Sequence, residues 1–314
     1  MTDVTPGTGR LADAPANHPK VKAAKVGILL ANLGTPDNYD YWSMRRYLSE
    51  FLSDKRVIDI PNWKWQPLLQ LIILSKRPFT SGANYKLIWN HEKGESPLMT
   101  ITKDQTSAIA ARMAAAHGEG VMVFFCMRYG YPSTASKVRA MVEAGCEKIL
   151  FFPLYPHYAG ATSATANDAF FAALMREKRQ PAARVVPEYF DHPLYIEALA
   201  RSVERAYAGL SHRPDHLIAS YHGMPQRYLR EGDPYHCQCQ KNSPLLMERL
   251  RGLAEGGDSY HLPVGLWPRG MAAALYGRAC RRTGPAGQKA HRGDRARLQR
   301  RLHRDAGGDQ RRNP

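Results

Sequence analysis

Residues Leu217 to Lys241 read LIASYHGMPQRYLREGDPYHCQCQK. An apolar run containing Leu217 and Ile218 carries Ser220 and Tyr221 to His222, and Gly223 and Pro225 follow at once. That order predicts a strand ending in a turn. In an open α/β sheet, ligands bind in the crevice beyond the carboxyl ends of the strands, so an imidazole at such an end faces whatever the sheet binds. Gly223 leaves room beside it, and Pro225 stiffens the exit. Spacing alone also allows a second reading, in which His222 is a hydrogen-bonded structural histidine.

Working outward, strand and helix patterns alternate. VGILLANLGTPDN, from Val26 to Asn38, is a continuous apolar run closed by a Gly-Thr-Pro turn, the pattern of a buried parallel strand. Met44, Tyr47, Leu48 and Phe51 recur at helical spacing within Tyr41 to Leu52. A short, strongly apolar stretch from Trp63 to Leu74 ends in Lys76 and Arg77. It is too short to span a bilayer, and its terminal aromatics and cations suit either an interfacial helix or core packing. Gly94 and Pro97 mark a loop, and helical periodicity runs from Ile101 to His117. VMVFFCMRYGYP is a strand ending in Arg128 and Tyr129, where a guanidinium can pair with a carboxylate and a phenol can stack on or hydrogen-bond to a flat ligand. CEKILFFPLYPHYAGATSAT follows, with a buried strand over Ile149 to Leu154, a loop carrying Tyr155, His157 and Tyr158, and Ser163 or Thr165 as candidate cap of the next helix. Leu194 to Tyr207 reads as a helix leading to the His222 segment.

Several of these segments, in this order, resemble the ferrochelatase family, whose members insert ferrous iron into protoporphyrin IX to make protohaem. The resemblance rests on SYHGMPQRY with GDPYHCQC, on the Asn32 to Pro36 loop, on DKRVIDIP, on SGANYKLIWNHEKGESPLMTIT and on PLYPHYAGATS, and it covers most of residues 24 to 250. It implies two Rossmann-like α/β domains with parallel sheets flanked by helices. It makes His222 the catalytic and metal-site histidine, and it places Arg128, Tyr129, Tyr155 and Tyr158 in the porphyrin cleft, with His157 a weaker candidate. It also implies that Trp63 to Leu74 belongs to an active-site lip, residues 61–80, that touches the bilayer peripherally. Two other functions stay open at this point: a chelatase for another tetrapyrrole or metal, and a porphyrin- or haem-binding protein without catalysis. Some family members carry an iron–sulfur cluster, but its ligands come partly from the chain's end. Cys237 and Cys239 are therefore read here as ordinary thiols, because Cys-x-Cys is shorter than the usual knuckle spacing and no second pair lies nearby.

A chain of 314 residues with 44% hydrophobic content is long enough for two medium cores. Five cysteines, no secretory leader and no apolar run approaching roughly 20 residues point to a cytoplasmic protein, membrane-associated only through the lip. The formal charge of +16 is uneven, since residues from Arg251 on hold 14 Lys and Arg against 5 Asp and Glu. No aromatics interleave with those arginines, which argues against a nucleic-acid partner. The expected organisation is a disordered lead-in over 1–23, a first domain over 24–190, the start of a second over 191–258 and a basic, disordered tail over 259–314.

That tail has a second reading. Codons permitted by Ser259 to Tyr276, read one base downstream with third bases chosen to suit, can yield RITFQSVFGPEEWLQPYT, and those permitted by Arg281 to Asn313 can yield a run ending KKRIAVIAPAFSADCIETLEEINGEI. Both strings resemble the missing end of a ferrochelatase, which points to a reading-frame shift between about Arg251 and Ser259. In the family a Glu of the ETLEEI segment faces the HGMP histidine as metal ligand or proton acceptor. Arg304 stands at the shifted place of that Glu, and a guanidinium there repels a divalent cation and accepts no proton. The expectation is that the 314-residue chain inserts little metal.

Overall fold

The structure, a computed structural model, describes residues 23–211, 217 and 219–251. The chain divides into two compact units, Met1–Glu188 and Tyr189–Pro314. The lead-in up to residue 22 and the tail from residue 252, including Arg304, lie outside the described residues.

In the first unit, four parallel strands form one sheet in the order β2-β1-β3-β4: β1 Lys25–Gly34, β2 Val121–Tyr129, β3 Cys146–Pro153 and β4 Ala182–Val185. Leu29 pairs with Phe124 on one side and Phe151 on the other, so β1 is interior and its apolar run is buried on both faces. One core joins Leu29, Ala31, Cys126 and Phe151 to α5 (Thr134–Glu143) and α6 (Thr165–Met175), and the rings of Phe151 and Phe170 stack with centroids 4.3 Å apart. A second core places Met44, Tyr47, Leu48 and Leu52 of α1 (Tyr41–Ser53) against Leu69, Leu74 and Tyr129. The periodic helix expected from Ile101 belongs to α4, Pro97–His117, whose first turn is capped by Ser96 Oγ accepting from Met99 N.

The apolar stretch from Trp63 is two helices joined by a π-helical turn: α2 Asn62–Leu68, the turn Leu69–Ile73, and α3 Leu74–Ile88. Pro78 cannot donate to the Leu74 carbonyl one turn back, and the Tyr41 hydroxyl donates to that carbonyl instead, at 3.1 Å. Leu69 and Leu74 are fully buried, and Trp65 donates its indole N–H to the Leu52 carbonyl at 2.6 Å. Trp63, Leu71 and Ile72 are exposed at 75%, 74% and 58%.

Two local expectations are corrected. Neither Ser163 nor Thr165 caps α6, because a π-helical turn over Gly160–Ala164 runs straight into it, and no side chain caps its first residue. The predicted strand before His222 forms no ladder at the described residues Leu217 and Ala219 to Tyr221; Ile218 lies outside them. A strand exists only against a neighbour, and the described residues of the second unit contain helices alone. They are α7 (Pro193–Ala208), α8 (Gln226–Arg230) and α9 (Tyr235–Arg251), with Ala200, Leu246 and Leu250 forming the α7–α9 contact. Arg249 Nε closes it on Glu197 Oε2 at 2.5 Å.

Candidate functional site

In the first unit the end of β2 and the first residue of α6 converge on Asp54, the residue that terminates α1. Arg128, at the end of β2, donates from Nη2 to Asp54 Oδ2 at 2.5 Å and from Nε to the Thr165 carbonyl and hydroxyl at 2.9 and 2.7 Å. The Thr165 hydroxyl donates to the same Asp54 oxygen at 2.5 Å, and the Tyr129 hydroxyl donates to it at 2.8 Å. The Arg56 backbone N–H reaches the other oxygen at 2.7 Å. Burial pushes the Asp54 carboxyl up, but the donors from Thr165, Arg56, Tyr129 and Arg128 outweigh it and hold the group below the usual carboxylate range. Asp54 is thus an anion that fixes one face of the Arg128 guanidinium.

An open cavity of about 730 Å³ adjoins this network, lined by Trp42, Arg45, Arg46, Ser49, Glu50, Ser53, Asp54 and Arg128. Three guanidiniums at one cavity suit a ligand bearing carboxylates. Arg56 pairs bidentately with Asp168 at 2.6 and 3.1 Å, and Tyr158 lies within electrostatic reach of it.

The expected cleft residues therefore take different parts. Arg128 borders the cavity. Tyr129 is fully buried, with its ring edge-on to Phe51 and its hydroxyl donating to Asp54. Tyr155 has a buried hydroxyl, and burial pushes its phenol well above the ordinary value. His157 is half-buried, which lowers its imidazole pKa. Sequence reading missed Arg45, Arg46, Asp54 and Thr165. The two arginines lie on α1 beside its apolar positions, a signal available from the helical period; the Asp54–Thr165 pairing spans 111 residues and had no local signal.

In the second unit His222 is exposed, and its backbone N–H donates to the Tyr235 hydroxyl oxygen at 3.2 Å. Tyr221, just before it, hydrogen-bonds through its hydroxyl to Asn242 Oδ1 at 3.0 Å and Ser243 Oγ at 2.8 Å. Cys237 is exposed and Cys239 buried, both as free thiols.

A parallel α/β domain with its polar network at the carboxyl ends of the strands defines a ligand-binding class of protein, not yet a reaction. Comparison with known proteins supplies the rest. The Ferrochelatase family profile matches residues 25–262. The ferrochelatase of Rhodobacter capsulatus is 71% identical over 241 residues, covering 76% of this chain and 69% of that protein. Those of Agrobacterium fabrum and Rhizobium etli are 55% and 53% identical over 240 and 243 residues, again covering 69% and 70% of their lengths. The chain belongs to the ferrochelatase family.

Proposed function

We propose that this protein is a metal chelatase of haem biosynthesis, inserting Fe²⁺ into protoporphyrin IX to give protohaem, with His222 at the reacting centre. The observation that carries the reading is the 71% identity to a named ferrochelatase over a stretch that includes the intact HGMP and GDPY segments. Insertion forms four iron–nitrogen bonds, breaks two pyrrole N–H bonds and releases two protons. His222 serves as the ligand that hands over iron or as the first acceptor of a proton. Arg128, with Arg45 and Arg46, is the site for the porphyrin's carboxylates, and Asp54 keeps Arg128 aimed. The family resemblance assigns Tyr129, Tyr155 and Tyr158 to the same cleft.

The exposed side chains of Trp63, Leu71 and Ile72 support a peripheral bilayer contact through which a hydrophobic porphyrin reaches the site. No helix among the described residues is long and apolar enough to cross a membrane. A cytoplasmic setting, with Cys237 and Cys239 as thiols, completes the reading.

The frame shift belongs to the same proposal. The family match ends at residue 262, and the aligned stretch accounts for about 70% of the relatives' lengths. Both facts support a shift that removes the Glu partner of His222 from the 314-residue chain. Absorbance titration of the chain with protoporphyrin, followed by Fe²⁺, tests the function: porphyrin binding is expected here, and metal insertion once the frame is restored by one base.

A further inference from the structure

Three arginines border the cavity of the first unit, and two of them are matched by carboxylates. Arg128 is paired with Asp54 at 2.5 Å, and Arg46 with Asp37 at 3.7 Å. The cavity's other acid, Glu50, accepts from the Gly130 backbone N–H at 2.9 Å. Arg45 differs, because its contacts among the described residues are neutral. Its Nη2 donates to Gln70 Oε1 at 3.1 Å, and both of its Nη atoms lie 3.5 Å from the Gln70 backbone carbonyl oxygen.

Gln70 is itself held on two sides. It is the second residue of the π-helical turn, in which the Leu74 N–H closes on the Leu69 carbonyl, and the neighbouring Leu69 is fully buried. Its amide nitrogen donates to Ser49 Oγ at 3.0 Å and to Gln66 Oε1 at 3.4 Å, while the Gln66 amide donates to Ser53 Oγ at 3.1 Å. Arg45, Ser49 and Ser53 recur every four residues along α1, and Gln66 and Gln70 stand four apart on the stretch that faces it, so the two rows interlock. With both amide hydrogens of Gln70 engaged, its oxygen is the atom left to accept from Arg45.

We infer that Gln70 is a positioning residue for Arg45, holding it at the cavity through a neutral oxygen so that its charge stays available to a carboxylate of the ligand. A guanidinium already paired with a carboxylate shares its charge with that partner, whereas one held by an amide keeps it. Arg45 is also half-buried, so its field is screened less than that of Arg46, whose side chain is 65% exposed. Glutamine at position 70 then matters chemically: a glutamate of the same shape would fix Arg45 as well and take the place of the incoming carboxylate.

This inference rests on the reading of the cavity as the site for the porphyrin's carboxylates, and the test separates the two. The 314-residue chain is titrated at pH 7 with protoporphyrin IX and with its dimethyl ester, which keeps the ring and lacks the carboxylates. The parent should prefer the free acid. Gln70→Glu should raise the Kd for the free acid about three- to tenfold while leaving that for the ester nearly unchanged. Gln70→Ala loses the acceptor but adds no charge, and it should raise the same Kd by less, about two- to threefold. In an Arg45→Gln background neither substitution should have a further effect, since the group through which both act is gone. If Gln70→Glu fails to fold, Gln70→Ala with and without Arg45→Gln carries the test. Free-acid binding by Gln70→Glu as tight as the parent's or tighter overturns the inference. So do equal losses for acid and ester, which mark general loosening, and an effect undiminished by Arg45→Gln. A parent with no preference for the acid overturns the carboxylate-site reading beneath it, and that is seen without any substitution.

Discussion

Gly34 closes β1 with φ +117°, and a Cβ there would lie 1.9 Å from the Tyr129 carbonyl oxygen. Gly34→Ala should therefore cost more than about 2 kcal/mol, read as a fall in the denaturant midpoint, because both backbone strain and a backbone clash oppose it. Asp54 offers a test by pH. Its side chain is 9% exposed and its partner Arg128 19%, so the pair is little screened, and truncating one member of a buried pair costs about 3 kcal/mol. The native carboxyl is held below its ordinary value of about 3.9. The stabilisation from Asp54 is then fully present above that value and is lost as pH falls through the lower, native one. The gap in thermal stability between parent and Asp54→Asn should be large at pH 7 and close on acidification below about pH 4; a gap independent of pH would contradict the charge argument. Position in the chain explains what was legible at this scale. Arg128 follows an apolar run that is a strand, whereas the run before His222 is not one at the described residues. Thr165 was misread as a cap because its partners, Arg128 and Asp54, lie 37 and 111 residues away.

Among the elements, β1 and β3 were readable because strands buried on both faces carry unbroken apolar runs, and α1, α4 and α7 because each shows a helical period or a clear start. The π-helical turn at Leu69–Ile73, closed by the Leu74 N–H on the Leu69 carbonyl, was not, since LQLII continues the same apolar run with no break to mark it. That turn separates an inward set, Leu69 and Leu74, from an outward set, Leu71 and Ile72. Replacing Leu71 and Ile72 by Ser should weaken co-sedimentation with anionic liposomes severalfold while leaving the melting temperature nearly unchanged, because neither side chain contributes to the core. Equal partition of variant and parent would return α2 and α3 to a purely internal role. The described residues Leu217 and Ala219 to Tyr221 form no ladder, and Ile218 lies outside them.

At the level of the whole molecule, the described residues of the first unit carry a four-stranded parallel sheet and an arginine-lined cavity, and those of the second carry His222 in the segment just before α8. The frame-shift proposal rests on the strings recovered from Ser259 onward, which resemble the family's closing segments. The most direct measurement follows the protoporphyrin spectrum after addition of Fe²⁺ to three proteins: the 314-residue chain, the frame-restored chain, and the frame-restored chain with His222→Ala. The account predicts negligible insertion by the first, steady conversion to protohaem by the second, and porphyrin binding with activity lowered at least about a hundredfold in the third. Conversion by the His222→Ala protein within a few-fold of its parent would contradict the central assignment.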